Sequence, residues 1–300
     1  MANQHTRRIE YLLMLLPPLF WAGNAVVGRY AMGAMPPVAL SFWRWVLGLM
    51  LLLPFGLPRL MRQKHLLRPH WKLLVVLSAT SIAAYNTLLY TALTTTTAIN
   101  ATLVSTTLPL SIIALSWLWL GEKLSPMQAT GLVVSLAGVL TVIARGDPAV
   151  LAALELRQGD LVVLAAVASW GIYSVLLRKH PTGIDPIAML TILVAIGVVL
   201  ILPFYLWELT VVGGFTPTFP VLAVITYVAI FPSALAYYFW NRGIAALGTN
   251  LAGQFTYLLP MFTAVLATVF LGEAFRWFHS AGLVLIFSGI WLATHGRRAP

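Results

Sequence analysis

The sequence predicts an all-α polytopic membrane protein, with ten transmembrane helices in two five-helix repeats of inverted topology. Three observations carry this expectation. The chain is 60% hydrophobic and only 9% charged, with a mean hydropathy of +0.90, a composition that polytopic membrane proteins share. Ten segments are apolar over the roughly 20 residues that a spanning helix needs. The second half of the chain also repeats the first in a constant register. At an offset of 149, Trp21 meets Trp170, Arg29 meets Arg178, Pro37 meets Pro186, Gly48 meets Gly197 and Leu53-Pro54-Phe55 meets Leu202-Pro203-Phe204. After a short insertion the offset becomes 151. Ala101 then meets Ala252, Pro109 meets Pro260, Leu120-Gly121-Glu122 meets Leu271-Gly272-Glu273, and Gly131 and Gly138 meet Gly282 and Gly289. A unit this long is a duplicated bundle and not a short solenoid repeat.

The spans fall at about 9–30, 37–57, 71–93, 97–119, 126–144, 160–178, 186–207, 219–241, 248–271 and 277–295. Helices follow from their length and from the need to satisfy every backbone hydrogen bond inside lipid. The first apolar run is long and flows into the repeat, so no cleavable leader is expected. The second opens on Pro36-Pro37, and the densest basic cluster, Arg59 to Lys72, separates it from the third. The junctions between the third and fourth spans and between the eighth and ninth are tight. The fourth and ninth carry the paired prolines Pro109 and Pro260 near their middles. The fifth and tenth carry Gly131, Ser135, Gly138 and Gly282, Ser288, Gly289. This small-residue spacing permits close helix contact, so the two are expected to pack together as a static brace, with a homodimer interface as the alternative. The domains are thus a first repeat over 9–144, an external linker over 145–159 with a helical turn expected near Ala149–Leu156, and a second, inverted repeat over 160–295.

Charge orients the chain. The net charge is +10, but its distribution argues against nucleic acid. With the N-terminus inside, thirteen Lys and Arg face the cytoplasm, while Arg29, Arg145, Arg157 and Arg276 lie outside and Arg44 lies within a span. This is the positive-inside pattern, and the Arg59–Lys72 cluster reads as an anchor on anionic lipid. Both termini are therefore expected to be cytoplasmic. Five helices per repeat is an odd number, so the second copy enters from the opposite side. Inverted repeats allow inward-open and outward-open states to arise by exchanging the conformations of the two halves.

Trp21-Ala-Gly-Asn24, Pro36-Pro37, Phe42-Trp43-Arg44-Trp45, Pro109, Leu120-Gly121-Glu122 and the Gly-rich closing helix resemble the EamA branch of the drug/metabolite transporter superfamily. The second half shows the same skeleton in Ser169-Trp170-Gly171, Pro186, Pro260 and Leu271-Gly272-Glu273. Within that branch the chain looks most like YddG-type exporters of amino acids, aromatic ones included. The resemblance runs from about Leu12 to Ala293. It implies ten helices in two inverted halves, with the fifth and tenth apart from a central cavity, in a bacterial inner membrane.

Interrupted helices at matching positions of inverted halves point to a transport site, so Pro109 and Pro260 are candidate gating hinges. Around them, Trp21, Asn24 and Gly28 share one face of the first span, and Trp170 and Tyr173 occupy the matching places in the sixth. The third offers Ser78, Ser81, Tyr85, Asn86 and Tyr90, the eighth Ser233, Tyr237, Tyr238 and Trp240. On the ninth, Asn250, Gln254, Tyr257 and Met261 form a stripe, with Gln254 and Tyr257 matched by Leu103 and Thr106 in the other half. Polar groups in lipid must face inward. Hydrogen bonding between helices explains any one of them equally well. The candidate substrate wall is Trp21, Asn24, Arg44, Tyr85, Asn86, Tyr90, Trp170, Tyr173, Tyr237, Gln254 and Tyr257. Arg44, roughly 10 Å below the outer surface, is either a carboxylate clamp or a structural arginine bonded to helix-end carbonyls. The resemblance favours the structural role, because relatives with unlike substrates carry an arginine there.

Aromatic walls with a few amides and no buried acid suit a small zwitterion or a flat apolar molecule. All eight acids fall at span ends or in loops, and no histidine lies mid-membrane. Proton-driven antiport generally needs a relay within the bilayer, and the small multidrug-resistance carriers that resemble this fold keep a membrane-embedded glutamate there. Facilitated diffusion or exchange is expected instead. With no cysteine, no HExxH and no Walker or GxGxxG loop, no enzyme signature emerges. No ring of charges marks a channel. The expected partners are a small-molecule substrate and the bilayer, without a cofactor, for a monomer or weak homodimer.

Overall fold

The computed structural model describes residues 9–31, 34–96, 98–155, 157–272, 274 and 276–295. Ten long helices run through them: α1 Leu16–Ala31, α2 Pro37–Arg62, α3 Lys64–Ala92, α4 Asn100–Leu120, α5 Pro126–Ile143, α6 Gln158–Lys179, α7 Pro186–Val211, α8 Phe219–Leu247, α9 Thr249–Phe270 and α10 Trp277–His295. Among the described residues there is no strand. Helices α2 to α10 are each long and apolar enough to cross a bilayer. The first expected span is divided by a turn at Met14 and Leu15, because Pro17 and Pro18 remove the amides that would bond back into that stretch. Helices α2, α3, α7 and α8 outrun their expected limits by four to seven residues. Their polar ends stay helical beyond the apolar stretch, since hydropathy marks lipid and not the end of a helix. The linker holds a single turn, Pro148–Ala152, capped by Asp147; Leu156, expected at its end, lies outside the described residues.

Each helix meets its repeat mate. Trp21 of α1 stands edge-on to Trp170 of α6, Asn86 of α3 bonds Tyr237 of α8, and Ser116 of α4 bonds Thr249 of α9. Helices α2 and α7 pack antiparallel, as their ends show. Asp185 accepts from the amides of Ile187 and Ala188 at the start of its own helix, α7. The matching position before α2 is Pro36, which has no such side chain. There the carboxylate of Glu208, from the far end of α7, accepts from Val38 N at 2.9 Å and Ala39 N at 2.7 Å. Both helix N-termini thus receive a carboxylate on equivalent amides, where an anion complements the helix dipole. Arg59, the repeat mate of Glu208, lies 3.6 Å from Asp185 at the other face.

Helices α5 and α10 do pack against each other, antiparallel, and glycine is required where they cross. A Cβ on Gly131 would lie 2.4 Å from the Gly289 carbonyl oxygen, and one on Gly138 would lie 2.8 Å from that of Gly282. The Leu-Gly-Glu motifs have a local role as helix stops: Gly121 and Gly272 adopt φ of 68° and 69°, a left-handed cap that glycine alone adopts without strain. Glu273 lies outside the described residues.

Candidate functional site

Two kinds of helix irregularity, each present in both halves, surround the centre. Helices α4 and α9 break at Thr106–Thr107 and Thr256–Tyr257 and restart at Leu108 and Leu258. Pro109 and Pro260 sit in the first turn of each restarted half, where the missing amide costs nothing. The interruption therefore precedes each proline by about one turn. Helices α3 and α8 each contain a π-helical segment, Ala79–Tyr85 and Ala229–Leu235. In α8 the wide turn follows from Pro232. In α3 the hydroxyls of Thr80 and Ser81 bond back to Val76 O and Leu77 O, competing with the regular ladder.

The carbonyls at matching places in these segments anchor the other helices. Ser81 O accepts from the Tyr237 hydroxyl at 2.9 Å, and its mate Pro232 O accepts from Trp21 Nε1 at 3.1 Å and from Arg44 Nη2 at 3.4 Å. Arg44 is 1% exposed. Its guanidinium also donates to Ser233 Oγ at 2.8 Å, Asn86 Oδ1 at 3.1 Å and the Tyr90 hydroxyl at 2.5 Å, and lies over the ring of Trp45 at 5.2 Å. Asn24 donates to the Tyr90 hydroxyl at 3.2 Å. At the matching place in the second half, the Tyr173 hydroxyl donates to Asn241 Oδ1 at 2.5 Å. The same helix-to-helix bond recurs with its two residue types exchanged.

Between the broken helices lies a cavity of about 40 Å³, room for only a few water molecules. Trp21, Tyr85 and Trp170 form its aromatic side, with Trp170 at 4.8 Å from Tyr85 between ring centroids. Thr102, Ser105, Thr106, Thr256 and Tyr257 form its hydroxyl side, and Leu108, Leu259 and Pro260 bring in both restarted half-helices. No acid, base or histidine lines it among the described residues. The Trp170 Nε1 and the Tyr257 hydroxyl, both on cavity-lining residues, are buried without a hydrogen-bond partner, as are both polar atoms of Gln254. A space this small does not admit a metabolite, so the helices must part to load one.

The profile of the EamA-like transporter family matches the chain twice, over residues 8–144 and 157–294. The chain belongs to the EamA-like transporter family. It is similar along nearly its whole length to the uncharacterized transporter YyaM of Bacillus subtilis (strain 168), with 26% identity over 97% of this chain and 95% of that one. It is also similar to a probable amino-acid metabolite efflux pump of Salmonella typhimurium (strain LT2), with 25% identity over 59% of this chain and 60% of that one. A crystal structure shares the fold at a TM-score of 0.80, covering 96% of this chain and 97% of that one at 22% identity.

Within this EamA-like carrier the sequence-derived candidates separate into two groups. Trp21, Tyr85, Trp170 and Tyr257 line the cavity, as does Pro260. Asn24, Arg44, Asn86, Tyr90, Tyr173 and Tyr237 instead bond to one another or to neighbouring helices. Gln254 is fully buried and does not reach the cavity wall, and Pro109 lies beside Gly253 of α9. Asn241 and the hydroxyls of Thr102, Ser105 and Thr256 were not among the candidates. Asn241 is the repeat mate of Tyr90, so the register that exposed the duplication also pointed to it.

Proposed function

We propose that this EamA-like carrier exports small metabolites, foremost amino acids including aromatic ones, by alternating access and down the substrate's own gradient. The observation that carries the reading is the central cavity, aromatic on one side and hydroxyl-lined on the other, with no carboxylate, Lys, Arg or histidine in its wall among the described residues. Such a wall suits a small molecule without net charge and offers no proton relay. The similarity to a protein named as a probable amino-acid metabolite efflux pump supports the substrate class. In this reading Pro109 and Pro260 are the hinges at which α4 and α9 flex, Trp21, Tyr85, Trp170 and Tyr257 read the substrate, Gln254 stands behind that wall, and Arg44 with Asn24, Asn86, Tyr90, Tyr173 and Tyr237 holds the surrounding bundle. The excess of Lys and Arg on one side supports cytoplasmic termini in a bacterial inner membrane.

Counterflow in proteoliposomes tests the reading. Vesicles preloaded with each amino acid are expected to take up labelled tracer at a rate indifferent to an imposed pH gradient. Uptake that appears only with the gradient would replace the facilitator by a proton-coupled exporter. Silence toward every amino acid would remove the substrate class.

A further inference from the structure

Resting on that reading, we infer that the cavity, once widened by the parting of its helices, holds its amino acid in one orientation, with the carboxylate on the Tyr257 hydroxyl at the break in α9 and the ammonium against the rings of Trp21 and Tyr85. Tyr257 is 1% exposed and lines the cavity, yet its hydroxyl has no hydrogen-bond partner. The repeat mate, Thr106, shows why. A threonine hydroxyl is short enough to satisfy itself on its own helix, and Thr106 does so on Leu103 O at 2.6 Å. A phenol extends beyond its own backbone, so Tyr257 carries an uncompensated buried donor that an acceptor on a ligand satisfies. Trp170, on the same cavity, supplies a second unpartnered donor at Nε1.

The surrounding electrostatics match this end to an anion. The 14-residue half-helix Leu258–Leu271 begins at the residue after Tyr257. The 13-residue half-helix Leu108–Leu120 opens on the same cavity through Leu108. Leu259 N donates to Thr256 O and Ser111 N to Thr107 O, and Pro109 and Pro260 carry no amide, so what these starts offer is the positive end of a helix dipole and not free donors; two such ends converge here, as at other sites built from discontinuous membrane helices.

A net anion is nevertheless poorly matched. Among the described residues no Lys or Arg lines the wall, and the guanidinium of Arg44 is engaged by Ser233, Asn86, Tyr90 and Pro232 O. The ligand must therefore carry its own positive charge. Among the described residues no carboxylate in the wall receives that charge, which leaves the faces of Trp21 and Tyr85, where an ammonium is attracted by the ring quadrupole. A zwitterionic α-amino acid meets both ends at once. Its decarboxylated amine and its deaminated acid each meet only one.

The test uses labelled L-phenylalanine counterflow in proteoliposomes, with 2-phenylethylamine and 3-phenylpropanoate as competitors, on the wild-type protein and on Tyr257→Phe. Removing an unpartnered hydroxyl should leave the thermal midpoint of the purified protein unchanged or raised, which separates this variant from a folding defect. The substitution should raise the KM for phenylalanine by about tenfold or more, the usual weight of a hydrogen bond to a charged group, with little change in maximal rate. Competition by the amine, which has no acceptor at the carboxylate position, should be indifferent to the substitution, whereas competition by 3-phenylpropanoate should weaken. A KM equal to that of the wild type, or equal losses for amino acid and amine, would overturn the orientation while leaving the substrate class intact. A wild-type protein that ignores every amino acid would instead overturn the reading on which the inference rests.

Discussion

Replacing Arg44 with leucine, the residue that its repeat mate Leu193 already provides, separates a structural arginine from a substrate clamp. The side chain makes four hydrogen bonds, to Ser233, Asn86, Tyr90 and Pro232 O. At about 1.5 kcal/mol for each bond from a charged donor, they amount to about 6 kcal/mol in total. Against this stands the roughly 3 kcal/mol that an arginine costs within the bilayer. The net loss is then about 3 kcal/mol. It is not larger because each former partner keeps a second bond: Ser233 to Val228 O, Asn86 to Tyr237, Tyr90 to Asn24, and Pro232 O from Trp21. Denaturant titration of the purified protein measures the stability, and counterflow measures the KM. The expected outcome is a folded but destabilised carrier with its substrate KM preserved, and Arg44→Lys, which keeps the charge but not the fork, should lie between. Unchanged stability with a much raised KM would refute the reasoning and make Arg44 a ligand to substrate.

Two further substitutions probe the frame. Glu208→Gln should cost about 1–2 kcal/mol, because the carboxylate on Val38 N and Ala39 N is the only side-chain cap shown at the start of α2; a stability indistinguishable from wild type in the same titration would show that cap to be idle. Gly138→Leu should strongly reduce the yield of monodisperse protein, with Gly138→Ala milder, since even a Cβ would stand 2.8 Å from the Gly282 carbonyl oxygen and from Leu285 Cβ; overpacking of this kind costs about 1–3 kcal/mol, and a normal elution profile for the leucine variant would show that α5 and α10 separate freely.

The duplication and its inversion were legible because Trp, Pro and Gly mark positions that few other residues fill. The lengths of α2, α3, α7 and α8 were not, since composition reports where lipid ends while the helix continues into water. The π segment of α8 left a trace in Pro232, but its counterpart in α3 has Ser81 at the matching place and gives no comparable signal. The hardest distinction lay between Tyr85, which faces the cavity, and Tyr90 and Tyr237, which bond across the bundle. Burial in lipid demands a partner for each, and a sequence does not say whether that partner is a ligand or a neighbouring helix. Tyr257 was visible as a break in the repeat. What the sequence could not show is that its hydroxyl, unlike that of Thr106, finds nothing in its own helix.

The two halves have conserved contacts more closely than residues. The bond between Asn24 and Tyr90 reappears as Tyr173 and Asn241, with donor and acceptor types exchanged. The carboxylate that Asp185 places on its own helix is supplied to α2 by Glu208 from the opposite end of α7. Both members of each pair are formed together in this structure; in the alternating access proposed above, the two halves would exchange conformations, and the paired contacts would be loaded in turn. They are not equal in strength. The Asn24–Tyr90 bond is buttressed by Arg44 and its three other partners, whereas beside Tyr173–Asn241 the position of Arg44 is held by Leu193, which contributes only its backbone carbonyl, to Ser78. Separating α2 from α3 and α8 therefore breaks charge-assisted bonds that separating α7 from the same two helices does not. A difference of one or two such bonds, about 1.5–3 kcal/mol each, is enough to bias a two-state equilibrium by more than tenfold. In the proposed exchange the geometry is near-symmetric while this set of polar contacts is not, and that difference lies at Arg44, where the second half has Leu193.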